Sequence, residues 1–574
     1  MKKFFITLLI LLLHSTVFTL ASMAQPKFAK KAQKGIISVN TYDKQGNLLH
    51  HGTGFYVGPN GEAIASYATF KGAYKATVID AQGKQSEVDC ILGADDSYSL
   101  VRFRVAVKGN AVLSTVPAAQ PKGATLYALA YSNTGNPDND VAAVSDTSLI
   151  DGKYAYYGLS KTLDDKLIGC PVFNVDGSVV GILHAQIGEK SYVMDIRYRD
   201  LLKIEAIPTR SASVALSNIF IPKGLPDTLE EALVYAYFKS KTLGNDEYMD
   251  LINRFVSTFP QNAEGYLRRA TPLIDLARFD DADADLQKYL SLVDDKATGN
   301  YNVASTIFNK LNLVPEPAYD KWTYDLAISH VDKALELNSA NATAEAAQKK
   351  TLDAQYKILK AQILSGKQDY DGAIAIYESL NQGEDKAPSF LFAISLARES
   401  RGDSIGSVIE PLDSAIAMFG DPMPTEAANY VIRRGKLYAN AGQYRNAVQD
   451  YNQYCYLMHN QVSDIFYYER SQIELNARMY QQAISDISLA IDLAPRNVMY
   501  YLEKASTCIR VNLLDDCIDA CQKALILNPD IMDTYRILGY AQLQKGDKTT
   551  ARQNIQKAID MGDENAKTIM EKYF

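Results

Sequence analysis

The chain reads as a multidomain protein, an all-β region followed by an all-α superhelix of repeated helical hairpins. Three observations predict this. From Gly35 to about Ile207, short runs rich in Val, Ile, Tyr and Thr alternate with turn signals such as Pro59-Asn60-Gly61, Ala81-Gln82-Gly83, Gly135-Asn136-Pro137 and Val175-Asp176-Gly177. Many short strands at that spacing form a sandwich or barrel. From Asp464 to Asn565 the sequence instead repeats three times at a period of 34 residues, the signature of a stacked helical array. Between the two, residues 208–227 are rich in Pro, Ser and Gly and read as a linker.

Taken in order, Met1 to Ala24 reads as a secretory signal. Lys2 and Lys3 supply the charged start, Phe4 to Leu13 the apolar core, and Ser22-Met23-Ala24 the small-residue cleavage site. The apolar run is short for a membrane span and His14 interrupts it. The sequence therefore predicts an exported protein, periplasmic or extracellular in a Gram-negative bacterium, with no membrane span once the signal is removed. Six Cys are present; Cys508, Cys517 and Cys521 fall at packing positions of the repeats, while pairing of Cys90, Cys170 and Cys455 stays open.

In the β region, Gly52-Thr53-Gly54-Phe55-Tyr56-Val57-Gly58-Pro59-Asn60-Gly61 and Gly169-Cys170-Pro171-Val172-Phe173-Asn174, followed by Asp176 to Ile182, carry the sharpest signal. Together with Val88 to Asp95 and Leu100 to Val105, they resemble the trypsin-like serine proteases of the bacterial periplasmic kind. The resemblance covers about 150 residues and implies two β-barrels over residues 25–207. It also places the family's catalytic positions. The base falls at Ala68, the orienting acid at Ser99 and the nucleophile at Ile168, and Lys166 and Cys170 replace two glycines around the oxyanion hole. Such catalysis needs a hydroxyl, an imidazole and a carboxylate together, so the resemblance implies a pseudoprotease with no catalytic residues. Cys170 is the candidate for a displaced nucleophile, and His184 the imidazole that follows the neighbouring strand. His50 and His51 are adjacent on a strand, point to opposite faces, and cannot serve one site.

Thr228-Leu229-Glu230-Glu231 then forms a capping box that opens the first helix, and residues 228–574 read as helical repeats. Small residues recur at Ser471, Ala505 and Gly539, again at Ala483, Cys517 and Ala551, and again at Ala490, Ala524 and Ala558; Pro495 and Pro529 keep the same step. A unit of this length holds two antiparallel helices of about fourteen residues, and small residues at matched sites let them approach closely. This pattern resembles the tetratricopeptide repeat (TPR) family. Earlier units are marked by Pro260, Ala270/Ala282, Ala361/Ala373 and Gly435/Ala447, with an irregular stretch at Asp294 to Ala344 and a divergent one at Ala387 to Pro424. The count is roughly nine hairpins and a closing helix from Asn565.

The residue before the small site of the first helix is Arg269, Lys360, Arg434, Arg470 or Lys504 in five units. Asp285, Asp450 and Asp486 lie sixteen residues after the three arginines, which predicts bridges inside each hairpin. Lys360 and Lys504 face Ile376 and Ala520 instead, and are the cations expected to be free for a partner. The acidic set Asp280, Asp281, Asp283 and Asp285 lacks the Gly and Glu of a calcium loop and reads as a helix start.

A net charge of −8 without any Lys/Arg run argues against nucleic acid. No Cys/His spacing suggests a metal, and no motif calls for a cofactor. The expected function is protein–protein interaction: a scaffold, assembly or regulatory factor with protein or peptide partners along the TPR surface. Lys360, Lys504, Cys170 and His184 are the candidate binding residues. Two other readings compete, an endopeptidase using displaced Cys170 and a substrate-binding holdase.

Overall fold

The computed structural model describes residues 25–188, 190–207 and 210–574; the expected signal segment lies outside them. The chain divides into two compact units after Val293. Its architecture is the one read from the sequence, two closed antiparallel barrels followed by a helical solenoid.

Barrel one closes in the order β1-β2-β3-β6-β5-β4, from β1 (Ile36–Tyr42), β2 (Leu48–Tyr56), β3 (Glu62–Ser66), β4 (Lys75–Ile79), β5 (Gln85–Asp95) and β6 (Leu100–Val105). Barrel two closes as β10-β11-β12-β9-β8-β7, from β7 (Thr125–Leu129), β8 (Asn139–Ile150), β9 (Tyr154–Leu159), β10 (Pro171–Phe173), β11 (Val179–Ile187) and β12 (Lys190–Asp195). Strand β6 shows why these residues close a barrel. Val101, Phe103 and Val105 enter the core of barrel one, while Arg102 and Arg104 alternate to the other face. Leu100, Ile36, Phe55 and Ile64 pack with barrel two, so one continuous core joins the barrels. The turn from β2 to β3 places Asn60 and Gly61 at φ 58° and 82°, the left-handed pair of a tight hairpin. A Cβ on Gly61 would lie 2.0 Å from the Val105 carbonyl oxygen.

The stretch expected as a linker is laid onto barrel one. After the helix Arg210–Ser217, Ile219 and Ile221 are buried in that core. The Phe220 amide donates to Ala73 O (2.8 Å), and the Ile91 amide donates to Pro222 O (2.9 Å). Helix α1 (Leu229–Lys239) opens on Thr228, whose hydroxyl accepts from the Glu231 amide. Helices α2 (Asn245–Thr258), α3 (Ala263–Asp275) and α4 (Phe279–Leu292) follow. Arg254 of α2 bridges Asp89 of β5 at 2.7 Å. The first two hairpins thus belong to the barrels' compact unit, and that unit ends at Val293, later than the boundary the Pro/Ser/Gly stretch suggested.

The second unit runs α5 (Lys296–Leu313), α6 (Tyr324–Ala340), α7 (Ala346–Gly366), α8 (Tyr370–Leu380), α9 (Pro388–Arg401), α10 (Ile405–Ala417), α11 (Ala428–Asn440), α12 (Tyr444–Leu457), α13 (Asp464–Asn476), α14 (Tyr480–Leu493), α15 (Val498–Arg510), α16 (Leu514–Leu527), α17 (Met532–Gln544), α18 (Lys548–Asp560) and α19 (Glu564–Tyr573). Helices α13, α15 and α17 start and stop 34 residues apart. Ser471, Ala505, Ala483, Cys517, Ala551, Ala490, Ala524 and Ala558 are all fully buried. At Gly539 the approach is closest: a Cβ there would meet Ile555 Cγ1 at 2.7 Å and Ala551 O at 3.0 Å. Small residues recur because the paired helix occupies the space that larger ones would need.

Candidate functional site

The three positions expected to carry catalysis lie on segments that the fold brings together. Strand β3 ends at Ser66, whose Oγ lies 3.0 Å from Ser99 Oγ. The Tyr67 amide donates to Ser99 O (3.0 Å), and Ser99 sits at φ 53°. Ala68 follows in the helical turn Tyr67–Phe70 and is exposed. From barrel two, Ile168 presents an exposed aliphatic side chain, and a Cβ on the next residue, Gly169, would sit 3.4 Å from Ser66 Cβ. A methyl, a hydroxyl and an aliphatic group thus stand where base, acid and nucleophile are expected.

The backbone there is equally committed. In the serine hydrolases that the sequence resembles, two N–H groups spaced like those of Lys166 and Ile168 hold the oxyanion. Here the Lys166 amide donates to Asp164 Oδ1 (2.9 Å) and the Ile168 amide to Asp165 O (3.1 Å). Gly169 N donates to Leu183 O (2.7 Å) and Cys170 N to Leu167 O (2.9 Å). Asp164 caps the single turn Asp165–Leu167. Sequence reasoning missed this internal satisfaction, although Asp164-Asp165 before a short turn is an N-cap signature.

Cys170 is fully buried. Burial pushes its thiol up to about 12, opposed in part by the Thr53 hydroxyl. A nucleophilic cysteine needs the reverse shift, towards thiolate. The half-buried His184 places Nδ1 2.8 Å from the Tyr156 hydroxyl, and burial lowers its pKa. Tyr156 in turn stacks on Tyr192 at 5.1 Å. His184 is therefore one ring of an aromatic ladder with Tyr156 and Tyr192. His50 and His51 are both exposed, with His51 Nδ1 2.8 Å from Asn40 Oδ1. All six cysteines are free and buried.

On the helices, the matched arginines form two-pronged bridges. Arg269 reaches Asp285 at 2.7 and 2.7 Å, Arg434 reaches Asp450 at 2.9 and 2.7 Å, and Arg470 reaches Asp486 at 2.6 and 2.8 Å. The three carboxylates are buried. Each arginine's remaining nitrogen reaches back to the preceding hairpin: to Asn253 on α2, Asp413 on α10 and Asn452 on α12. Of the two lysines expected to be free, Lys360 pairs with Asp332 of α6 at 2.6 Å. Its partner lies on the previous hairpin, 28 residues back, where a within-hairpin spacing does not look. Lys504 has no ion pair among the described residues and lines a groove of about 330 Å³ with Tyr501, Asp519 and Ala520.

No family model matches the chain. The curated relatives it resembles include the anti-sigma-I factor RsgI9 of Acetivibrio thermocellus, 28% identical over 152 residues, covering 26% of this chain and 21% of that protein. The small glutamine-rich tetratricopeptide repeat-containing protein 2 of Saccharomyces cerevisiae is 26% identical over 93 residues, covering 16% of this chain and 27% of that protein. The chain thus spans only about a quarter of each relative's length. Among solved structures, the active form of the Rv3671c protease from M. tuberculosis matches at 15% identity, covering 35% of this chain and 87% of its own, with a TM-score of 0.28. The inactive form matches at 18% identity over 31% and 91%, with a TM-score of 0.26.

Proposed function

We propose that the chain is an exported protein-interaction scaffold, an assembly or regulatory factor of the cell envelope. In this reading TPR-type hairpins carry the partner surface, and the trypsin-like domain is catalytically silent. One observation carries the second half of the reading: the Lys166 and Ile168 amides already donate within their own loop. Restoring an oxyanion hole would require rebuilding that loop as well as Ala68, Ser99 and Ile168. The buried, protonated Cys170 supports the same reading. Support for protein partners comes from the stacked hairpins, which form extended binding surfaces, and from the repeat named in the yeast relative. Lys504 is the cation this surface offers to a partner carboxylate.

The test is incubation of the full chain with fluorescently labelled unfolded casein and with an active-site serine probe. The expected result is neither turnover nor labelling. Casein cleavage abolished by Cys170→Ser would replace this reading with that of a displaced-nucleophile endopeptidase. Capture of partners from envelope extract, weakened by Lys504→Glu, is the positive arm.

A further inference from the structure

A pocket of about 210 Å³ lies between residues 220–223 and helices α1 and α2. Its apolar lining comes from the buried Ile221, Tyr235 and Leu251 and the half-buried Leu243. Two half-buried ammonium groups share it. Lys223 Nζ donates to the carbonyls of Ile219 (2.5 Å) and Ile221 (2.7 Å). An ammonium has three donors, so one N–H remains, and among the described residues no carboxylate pairs with it. Lys239 Nζ lies 5.4 Å from the centre of the Tyr235 ring and likewise has no ion pair among the described residues.

The other charges on this pocket do not neutralise these two. Arg254 is committed to Asp89. Glu247 and Asp250 also line the pocket but are exposed, and neither forms an ion pair with Lys223 or Lys239 among the described residues. Burial, and then the neighbouring Lys239, push the Lys223 ammonium down to about 8, as expected where positive charge is desolvated without a counter-ion. Apolar walls with a few convergent polar groups are the makeup of a small-ligand site.

We propose that this pocket binds a carboxylate borne on a compact apolar group, as in an apolar amino acid or the C-terminal residue of a polypeptide. Lys223 and Lys239 hold the carboxylate, and Tyr235, Leu243 and Leu251 hold the apolar group. The inference rests neither on catalytic silence of the β domain nor on Lys504.

Isothermal titration calorimetry on the full chain tests it with leucine, N-acetyl-leucine and leucinamide at neutral pH and low salt. At least one carboxylate is expected to bind and leucinamide is not. Tighter binding of N-acetyl-leucine identifies a chain end as the ligand, and tighter binding of leucine a free amino acid. Lys239→Gln is expected to weaken binding about tenfold, the effect of losing one charge-assisted contact. Lys223→Met is expected to abolish it; because Lys223 also ties down two carbonyls, Lys239→Gln decides the matter if that variant does not fold. Failure of both carboxylates to bind, equal binding of leucinamide, or unchanged affinity in Lys239→Gln would overturn the proposal.

Discussion

Arg470 holds a buried carboxylate with two nitrogens and an asparagine of the preceding hairpin with a third. Removing such a partner leaves Asp486 buried and unpaired, so Arg470→Ala is expected to cost about 3–5 kcal/mol in urea melts. The double variant Arg470→Met, Asp486→Leu is expected to recover most of that loss. Beside this bridge, Glu474 is buried and its Oε2 has no hydrogen-bond partner. Burial first, then the Asp486 charge, raise its pKa to about 8, against the pull of Arg470. The folded state therefore holds a proton that the unfolded chain gives up near 4.5. Stability from this group is full below that pH and falls as pH rises towards about 8, by at most about 1.4 kcal/mol per pH unit. Glu474→Gln should flatten that slope when melts at pH 5, 6.5 and 8 are compared. The arginine bridges were legible because one spacing recurs in three hairpins. Glu474 was not, since nothing in a lone glutamate announces which face it will occupy.

At the scale of elements, the 34-residue step in small side chains translates directly into helices of matched start and stop. The reason is geometric: where two helices nearly touch, volume is the constraint, and volume is visible in residue type. Gly539→Val is the sharpest test. Its branched side chain would press on Ile555 and on the Ala551 carbonyl, and a loss of about 1–3 kcal/mol in thermal melts is expected from overpacking. The segment after barrel two was harder to read. Its Pro, Ser and Gly content signals a free connection, yet Ile219 and Ile221 fill the barrel core and the neighbouring backbone bonds to Ala73 and Ile91. Two isoleucines in such a stretch were the available clue, and composition outweighed them.

For the whole molecule, the division after Val293 implies two unfolding transitions by calorimetry. A chain ended at Asp227 would lose α1 to α4 and leave Asp89 without Arg254. It is expected to melt at least about 5 °C below one ended at Val293, corresponding to roughly 2 kcal/mol in a domain of this size. That boundary was not legible because Arg254 reaches Asp89 across 165 residues of sequence. Within the second unit, the forked arginines stop short of the end: Lys504 and Leu538 occupy their register in the last two full hairpins. Those hairpins lack the forked arginine and are tied to their neighbours by packing and by single polar contacts, Lys545 to Asp515 and Tyr500 to Asp464. Drawn out from the C-terminus in an optical trap, they are expected to peel away first and at the lowest force. Each would lengthen the tether by on the order of 115 Å, the extended reach of one repeat, before the clasped hairpins yield.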